Sequence, residues 1–375
     1  SLALPLLVLA LTHSPALAGG LLALDMLPWL LFSLPLGALL DRWNRQRVMI
    51  WCDVVRFGVL GSVPIAFALG RLSVGQLAVV TFVSGTANVC FELAQLAALP
   101  NIVPGHHLAR AYSITEVTTA SSKLVGPPLG GLLIGLARTT LVGATLAYLI
   151  DSLTYLASVA TLRGMRGPFQ EHRLSQGPQH LWRDIAAGLQ TLWRQPLLRL
   201  LVMLTATVNF LMASLTLTII VKATALHATP TVIGLIFGGA GAGGLVGGIL
   251  APWLRQRLRI GQAILGALVV WAVSCATLAV AAVPVVLALG ATLIDLLWPI
   301  YAVVLVTYRL TLVPDQMQGR INSSFRFISF GSEAVGSALG GLALAALGPQ
   351  RVLWAITLGL ALLVVGASRT SLRRG

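Results

Sequence analysis

The residues best suited to chemistry in this chain are ionisable side chains that stand inside long apolar segments. A charge near the middle of a membrane-spanning helix costs about 2.5 to 3.5 kcal/mol on insertion scales, so such charges are usually paired or functional. An acid in this setting can bind a proton near neutral pH and release it again, which couples proton movement to another event. The candidates are Asp25, Glu92, Glu116, Lys123, Asp295, Arg326 and Glu333.

Two of the segments carry a pair of charges at a spacing of seven residues, which places both members on one face of a helix. Glu116 and Lys123 form the first pair, and Arg326 and Glu333 form the second. We expect these two faces to line a central cavity.

Two interpretations of the acids remain open. The first is proton coupling through at least one acid of the set Asp25, Glu92, Asp295 and Glu333. The second is static pairing of each acid with one of the cations Lys123, Arg326 and Arg56. The cost of placing a charge in an apolar helix favours the first interpretation.

The elements that must position these residues are membrane helices. Of 375 residues, 57% are hydrophobic and 10% are charged, whereas an average soluble chain is about 25% charged. Eleven apolar stretches have the length of about 20 residues that a membrane helix needs. They lie near 17–40, 48–69, 74–99, 111–136, 140–162, 198–221, 232–253, 261–281, 284–307, 322–346 and 351–368. The composition therefore excludes a soluble globular protein and predicts an all-α integral membrane fold.

An internal repeat with an offset of 210 residues divides the chain into two halves. Residues 37–47 match residues 247–257 at six of eleven positions, and residues 125–132 match residues 335–342 at six of eight. The offset places Ser1 over Leu211, inside the seventh span. We therefore expect the first helix to be truncated in this chain, with about a dozen apolar residues upstream of Ser1.

The repeat and the charge pattern predict the domains. Residues 1–163 form an N-terminal half of six helices with an incomplete first helix, and residues 197–375 form the C-terminal half. Residues 164–196 form an arginine-rich linker between them. Leucine and isoleucine recur at helical spacing in its second part, which predicts an amphipathic helix at the membrane surface.

The arginines lie mostly on one side of the predicted bundle. Eighteen fall in or beside one set of alternating loops, and only four cations fall in the other set. The positive-inside rule makes the first set cytoplasmic, so both termini and the linker lie inside. This distribution explains the net charge of +14 by membrane topology and anionic lipid, with no need for a nucleic acid partner.

Two motifs resemble signatures of the major facilitator superfamily. Gly37, Asp41, Arg42, Arg45 and Arg47 resemble its loop between helices two and three, although Asn44 and Gln46 stand where the family commonly has a glycine and a cation. The resemblance implies a charged latch that opens and closes with the transport cycle. The alternative is a basic loop that sets topology, with Asp41 as a helix cap.

A second motif lies in the fifth predicted helix. Gly126, Pro127, Gly130 and Gly131 resemble the signature of the antiporter branch. The prolines predict a kink and the glycines predict close helix packing, with gating as a second role. Three further segments look most like the subgroup that includes the enterobactin exporter and macrolide efflux proteins, namely residues 149–155, 196–199 and 319–323.

The resemblance implies a twelve-helix bundle of two pseudo-symmetric halves. In this fold helix two borders helix eleven, so Asp25 and Glu333 are expected to come close. Asp151 fits a pattern of the sixth helix in the subgroup and is expected to be structural. The implied function is proton-coupled efflux of a hydrophobic or amphipathic small molecule, such as a drug or siderophore, by alternating access.

Other functions remain as alternatives. An importer or uniporter of the same fold differs in the direction of flux, and a non-transporting membrane protein or enzyme would need a catalytic motif. The chain has no zinc-protease, nucleophilic-triad or Walker motif, so we expect no enzyme activity, cofactor or metal site. The expected partners are the substrate, protons and the lipid bilayer of the cell (inner) membrane, with the protein acting as a monomer.

Overall fold

The computed structural model describes residues 2–40, 43–103, 107–165, 169, 190, 192–312 and 315–369. In this part of the chain all regular elements are α-helices. They are α1 Ala3–Thr12, α2 Pro15–Leu40, α3 Arg45–Ala68, α4 Val74–Ile102, α5 Leu108–Leu136, α6 Thr140–Gly164, α7 Pro196–Met212, α8 Leu215–Ala225, α9 Pro230–Arg257, α10 Ile260–Val280, α11 Pro284–Leu312 and α12 Asp315–Ser368.

The predicted spans are confirmed, except that the one at 111–136 is a helix that does not count among the apolar stretches. Among the described residues, nine helical stretches are long and apolar enough to cross a membrane, and one of them, Ser324–Ser368, has 45 residues. That stretch turns at Gly348, whose φ of 79° is a left-handed conformation that favours glycine, and so supplies two spans. The helices α7 and α8 form one span with an interruption near Ala213. Helix α5 completes the set of eleven, although its first half is rich in threonine and serine.

Local sequence signals set several helix starts. Ser73, Thr139 and Thr229 each accept a hydrogen bond from the backbone N–H three residues later, which satisfies a donor that has no partner inside the helix. Helix α6 ends at Gly164 and α7 begins at Pro196, next to the boundaries that the sequence predicts for the linker. Residue 41, residue 42 and most of the linker lie outside the described residues.

Helix packing follows the two halves. In the first half α3 packs on α4 and α6, and α2 packs on α4. In the second half α9 packs on α11, and α10 packs on α11 and α12. The most extensive contacts between the halves are those of α2 with α12 and of α5 with α9.

Glycines let both joining pairs come into backbone contact. A Cβ atom on Gly131 would lie 2.7 Å from the Cα of Gly234, and one on Gly19 would lie 2.6 Å from the Cα of Gly341. Small residues at such crossings are how helices gain packing contacts in a membrane.

These contacts lie toward the side of the bundle that holds the connections 13–14, 137–139 and 226–229. We call the other side the basic side, because the helix ends there carry Arg45, Arg47, Arg255, Arg257 and Arg259. The halves are therefore in tight contact on the side opposite to the basic one.

Candidate transport pathway and gating elements

The first half contains a buried ion pair that the sequence patterns did not single out. Asp53 and Arg56 on α3 are 1% and 6% exposed. An Arg56 Nη1 atom lies 3.8 Å from Asp53 Oδ1, and Ser158 on α6 donates a hydrogen bond of 2.6 Å to Asp53 Oδ2. Buried charges need such partners because desolvation is costly. An acid and an arginine three residues apart inside an apolar span were the signal that could have revealed this pair.

Arg56 extends the cluster to α4. Its guanidinium donates a hydrogen bond to Asn88 Oδ1, and Asn88 donates one of 3.1 Å to Glu92 Oε1. The same guanidinium lies 5.6 Å from the ring centre of Phe91 and 5.2 Å from that of Tyr155, within the range of cation–π attraction. Glu92, a predicted site residue, is thus the exposed end of a polar chain that begins at the buried Asp53.

Asp25 lies within its own half. Its carboxylate oxygen Oδ1 lies 3.3 Å from the position of a Cβ atom on Gly85 of α4, so the absence of a side chain there makes room for the acid. Within the described part of the chain, no hydrogen bond joins Asp25 to the half-buried Glu333 on α12. The close approach of these two acids stays a prediction.

Lys123 and Asp295 bring charges of the two halves toward each other. Both side chains are exposed, Lys123 on α5 of the first half and Asp295 on α11 of the second. Helix α9 lies between them, and its glycines permit the approach. A Cβ atom on Gly241 would lie 2.7 Å from the backbone oxygen of Lys123, and one on Gly244 would lie 3.6 Å from that of Asp295.

Arg326 has aromatic neighbours across the same boundary. Its guanidinium lies 5.2 Å from the ring centre of Trp29 on α2 and 5.5 Å from that of Phe330 on α12. The two rings stack at 5.2 Å. Glu116 belongs to α5, but its side chain lies outside the described part of the structure. The predicted pairing of Glu116 and Lys123 on one face is therefore untested.

The motif at the start of α3 is attached to its own half. Arg45 Nη1 donates a hydrogen bond of 2.8 Å to the backbone oxygen of Ala97 on α4. Gln46 Nε2 donates to the oxygens of Leu162 and Met165 at the end of α6, at 2.7 and 3.0 Å.

Asn44 Oδ1 caps α3 by accepting from the N–H of Arg47 at 3.0 Å. The two departures from the family pattern, Asn44 and Gln46, therefore serve as a helix cap and as a link to α6. Gly37 lies in α2, and Asp41 and Arg42 lie outside the described residues.

The glycines of the α5 motif differ in their surroundings. Gly131 faces Gly234 and Pro230 on α9, whereas Gly126 and Gly130 have nothing within 4 Å of a Cβ position. Pro127 contributes its backbone oxygen, 2.6 Å from a Cβ on Gly234. Close packing is thus observed at Gly131, and Gly126 and Gly130 have open space beside them.

The second half has an aromatic cluster at the seam of α10 and α11. Trp271 is fully buried, and its Nε1 donates a hydrogen bond of 3.0 Å to the backbone oxygen of Ile294. The ring centres of Trp298 and Tyr301 lie 5.6 and 5.1 Å from that of Trp271. These rings pack α11 against α10.

Known proteins resemble this chain along its whole length. A family profile described as transmembrane secretion effectors, MFS_3, matches residues 2–375. The chain belongs to this family of the major facilitator superfamily, which confirms the resemblance seen in the motifs. The family description agrees with the apolar helices of a multi-pass membrane protein.

The relatives include named efflux proteins. The multidrug efflux pump Tap of Mycobacterium tuberculosis (strain ATCC 25618 / H37Rv) is 29% identical over 276 residues, which cover 70% of this chain and 64% of Tap. The chain therefore matches less than two thirds of that relative. The Tap pump of Mycolicibacterium fortuitum is 24% identical over 373 residues, covering 97% and 90% of the two chains. Macrolide efflux protein A of Streptococcus pyogenes is 25% identical over 171 residues, covering 45% and 40%.

Solved structures confirm the fold. The nucleoside transporter NupG superposes with a TM-score of 0.74 at 12% identity, covering 97% of this chain and 92% of NupG. A bacterial homologue of the iron transporter ferroportin in an inward-facing state gives a TM-score of 0.65 at 17% identity, covering 98% and 99%. At these identities the likeness concerns the fold alone.

Proposed function

We propose that this protein exports a hydrophobic or amphipathic small molecule across the cell (inner) membrane in exchange for protons. The observation that carries the proposal is that α9 packs against the backbone of both Lys123 on α5 and Asp295 on α11, which carry exposed side chains of opposite charge. A proton on Asp295 removes its attraction to Lys123. Protonation would therefore change the free energy of one arrangement of the halves relative to the other.

The arrangement of the halves supports alternating access. By the positive-inside rule the basic side is cytoplasmic. The backbone contacts at Gly131 with Gly234 and at Gly19 with Gly341 would then close the external side, and this arrangement is proposed to be the inward-facing state. In this state Asp295 can exchange a proton and substrate can enter from the cytoplasm.

The motif at the start of α3 is proposed to stabilise this state. Arg45 and Gln46 hold α3 against α4 and α6 of the same half, which keeps the first half rigid while it rocks against the second. Asp41 is proposed to complete the latch. Proton binding is proposed for at least one of Asp25, Glu92, Asp295 and Glu333, and the protein is proposed to act as a monomer with both termini inside.

The relatives support export, because Tap and macrolide efflux protein A are named as efflux proteins. An importer or uniporter of the same fold is the alternative. The test is flux of ethidium, a hydrophobic cation, in proteoliposomes of known orientation.

Export requires ethidium to move from the cytoplasmic to the external face, faster with an inward proton gradient and slower with an uncoupler. The proposal is overturned if ethidium moves in the opposite direction. It is also overturned if the rate of ethidium flux does not change with the proton gradient or the uncoupler. The variants Asp25→Asn and Glu333→Gln assign the coupling acid: wild-type gradient dependence in both excludes these two residues. Asp151→Asn is the matched control, because Asp151 is expected to be structural.

A further inference from the structure

A groove runs along the surface of the first half between α2, α3 and α4. It has a volume of about 780 Å³ and is almost entirely apolar. Its rim includes Trp43 and Trp51, which are 47% and 67% exposed. Its floor includes the buried, free cysteines Cys52 and Cys90. Arg47 and Asn44 stand at one end.

The groove faces away from the polar interior of the half. On α4 it uses Val83, Ala87 and Cys90, which recur at spacings of three and four and so share a face of the helix. Asn88 and Glu92 lie on another face of α4. An apolar surface this exposed, in helices that span a membrane, faces lipid rather than water.

Two phenylalanines from neighbouring helices meet in the groove. Phe32 on α2 and Phe82 on α4 meet edge to face with ring centres 6.1 Å apart. The repeat places Ala242 and Thr292 at the equivalent positions of the second half. There α9 and α11 come into backbone contact, because a Cβ atom on Gly243 would meet the backbone oxygen of Thr292. The groove is therefore particular to the first half.

The length and polarity of the groove match one lipid. From Arg47 to Val55 the groove follows α3 for eight residues, or about 12 Å at 1.5 Å per residue, which is close to half of a hydrocarbon core of about 30 Å. The cation lies at the end of the helix, where head groups lie, beside Trp43, a residue type enriched at that depth. A single molecule with an anionic head and a long apolar tail satisfies both ends.

We propose that this groove binds an anionic phospholipid, with its phosphate at Arg47 and an acyl chain along Trp51 and the two cysteines. The site shares Arg47 with the predicted gating motif, but its apolar part lies apart from the charged residues of the proposed pathway, and its test does not require transport. Only the assignment to the inner leaflet rests on the proposed orientation. Arg257, the repeat equivalent of Arg47, instead lies over the ring of Trp253 at 4.7 Å, so it is a matched control.

The test is quenching of tryptophan fluorescence by brominated lipids. The full chain is reconstituted in vesicles that contain dibrominated phosphatidylglycerol or dibrominated phosphatidylcholine at equal mole fractions. One arginine near anionic head groups is expected to give about a fivefold preference in half-quenching mole fraction for the anionic lipid. The preference should be lost in Trp51→Phe, because that variant removes the fluorescent reporter. It should also be lost in Arg47→Gln, which removes the cation, and should persist in the control Arg257→Gln.

Equal quenching of the wild type by both lipids overturns the proposal, as does a preference that Arg47→Gln retains. Ethidium can also be added to both kinds of vesicle. If it reverses the quenching of Trp51 at the same concentration in both lipids, the groove binds a transported molecule instead of the phospholipid. Native mass spectrometry of the wild type gives a second measurement that needs no variant. Retention of phosphatidylglycerol over phosphatidylcholine at equal concentration supports the site, and equal retention overturns it.

Discussion

The two halves share a repeat but stabilise equivalent helix seams by different means. At the seam of α3 and α4 the first half has Arg56, Asn88 and Phe91, whereas the second half has Gly266, Trp298 and Tyr301 at the equivalent positions of α10 and α11. One seam holds a buried ion pair with hydrogen-bonded partners, and the other holds packed aromatic rings.

The difference determines how strongly the stability of each seam depends on charge. A buried ion pair stabilises only while both charges and their hydrogen bonds remain, so the first half is sensitive to the loss of any member. Aromatic packing depends on contact area and geometry instead. We infer that the folding stability of the α3–α4 seam depends on its charges, whereas that of the α10–α11 seam depends on ring packing.

The largest effect is expected for Arg56→Ala. It leaves Asp53 as a buried carboxylate without its cation, which costs about 3 to 5 kcal/mol in the free energy of unfolding. Thermal denaturation of the purified protein, followed by size-exclusion chromatography, measures the loss.

The double variant Asp53→Asn with Arg56→Gln is the control, because it removes both charges together. We expect it to be more stable than Arg56→Ala. A double variant that is less stable than the single one would show that the ion pair does not govern this seam.

The next effect concerns the hydrogen bond from Ser158 to Asp53. Ser158→Ala removes a donor to a charged, buried oxygen and is expected to cost about 1.5 to 3 kcal/mol. The same denaturation assay applies. Thr154→Ala on the exposed face of α6 is the matched control and should change stability by about 0.5 kcal/mol or less; equal losses in both would count against the buried site.

A smaller effect is expected for the buried cation of the second half. Lys222 Nζ donates a hydrogen bond of 2.7 Å to the backbone oxygen of Ala279, near the end of α10. Lys222→Met leaves no buried carboxylate, so the expected cost is about 1 to 2 kcal/mol, the range for a cation at a helix C-terminus. Lys222→Arg should retain most of that stability. A loss as large as that of Arg56→Ala would remove the distinction between the halves.

The smallest effect is expected for Trp271→Phe. It keeps an aromatic ring but removes the hydrogen bond to Ile294, which is worth about 0.5 to 1.5 kcal/mol. Denaturation in parallel with Arg56→Ala tests the ranking. If Trp271→Phe lowers the stability more than Arg56→Ala does, ring packing at the α10–α11 seam contributes more to stability than charge at the α3–α4 seam.

The sequence was sufficient to predict the helices and the repeat. Apolar length and turn residues locate the spans, and the break at Gly348 with Pro349 lies between two of them. The same signals cannot show which side chains meet across helices. Gln46 departs from the family pattern, and only packing shows that its amide reaches the oxygens of Leu162 and Met165.

The candidate site was predictable only in part. Asp295 and Lys123 stand out as charges in apolar helices, but their approach depends on Gly241 and Gly244 of a third helix. The sequence-based set of candidate residues did not include Asp53, because it favoured isolated charges in apolar segments. Asp53 lies three residues from Arg56, which neutralises it. Partners that are distant in sequence, such as Ser158, are set by tertiary packing.

The most direct test of the proposed coupling is flux driven by a proton gradient in proteoliposomes that contain the wild type, Asp295→Asn or Asp151→Asn. The wild type and Asp151→Asn are expected to export ethidium faster when the gradient is imposed. Asp295→Asn is expected to show the same slow flux with and without it, because the asparagine cannot bind and release a proton. Wild-type stimulation by the gradient in Asp295→Asn would contradict the assignment of coupling to the charges between the two halves.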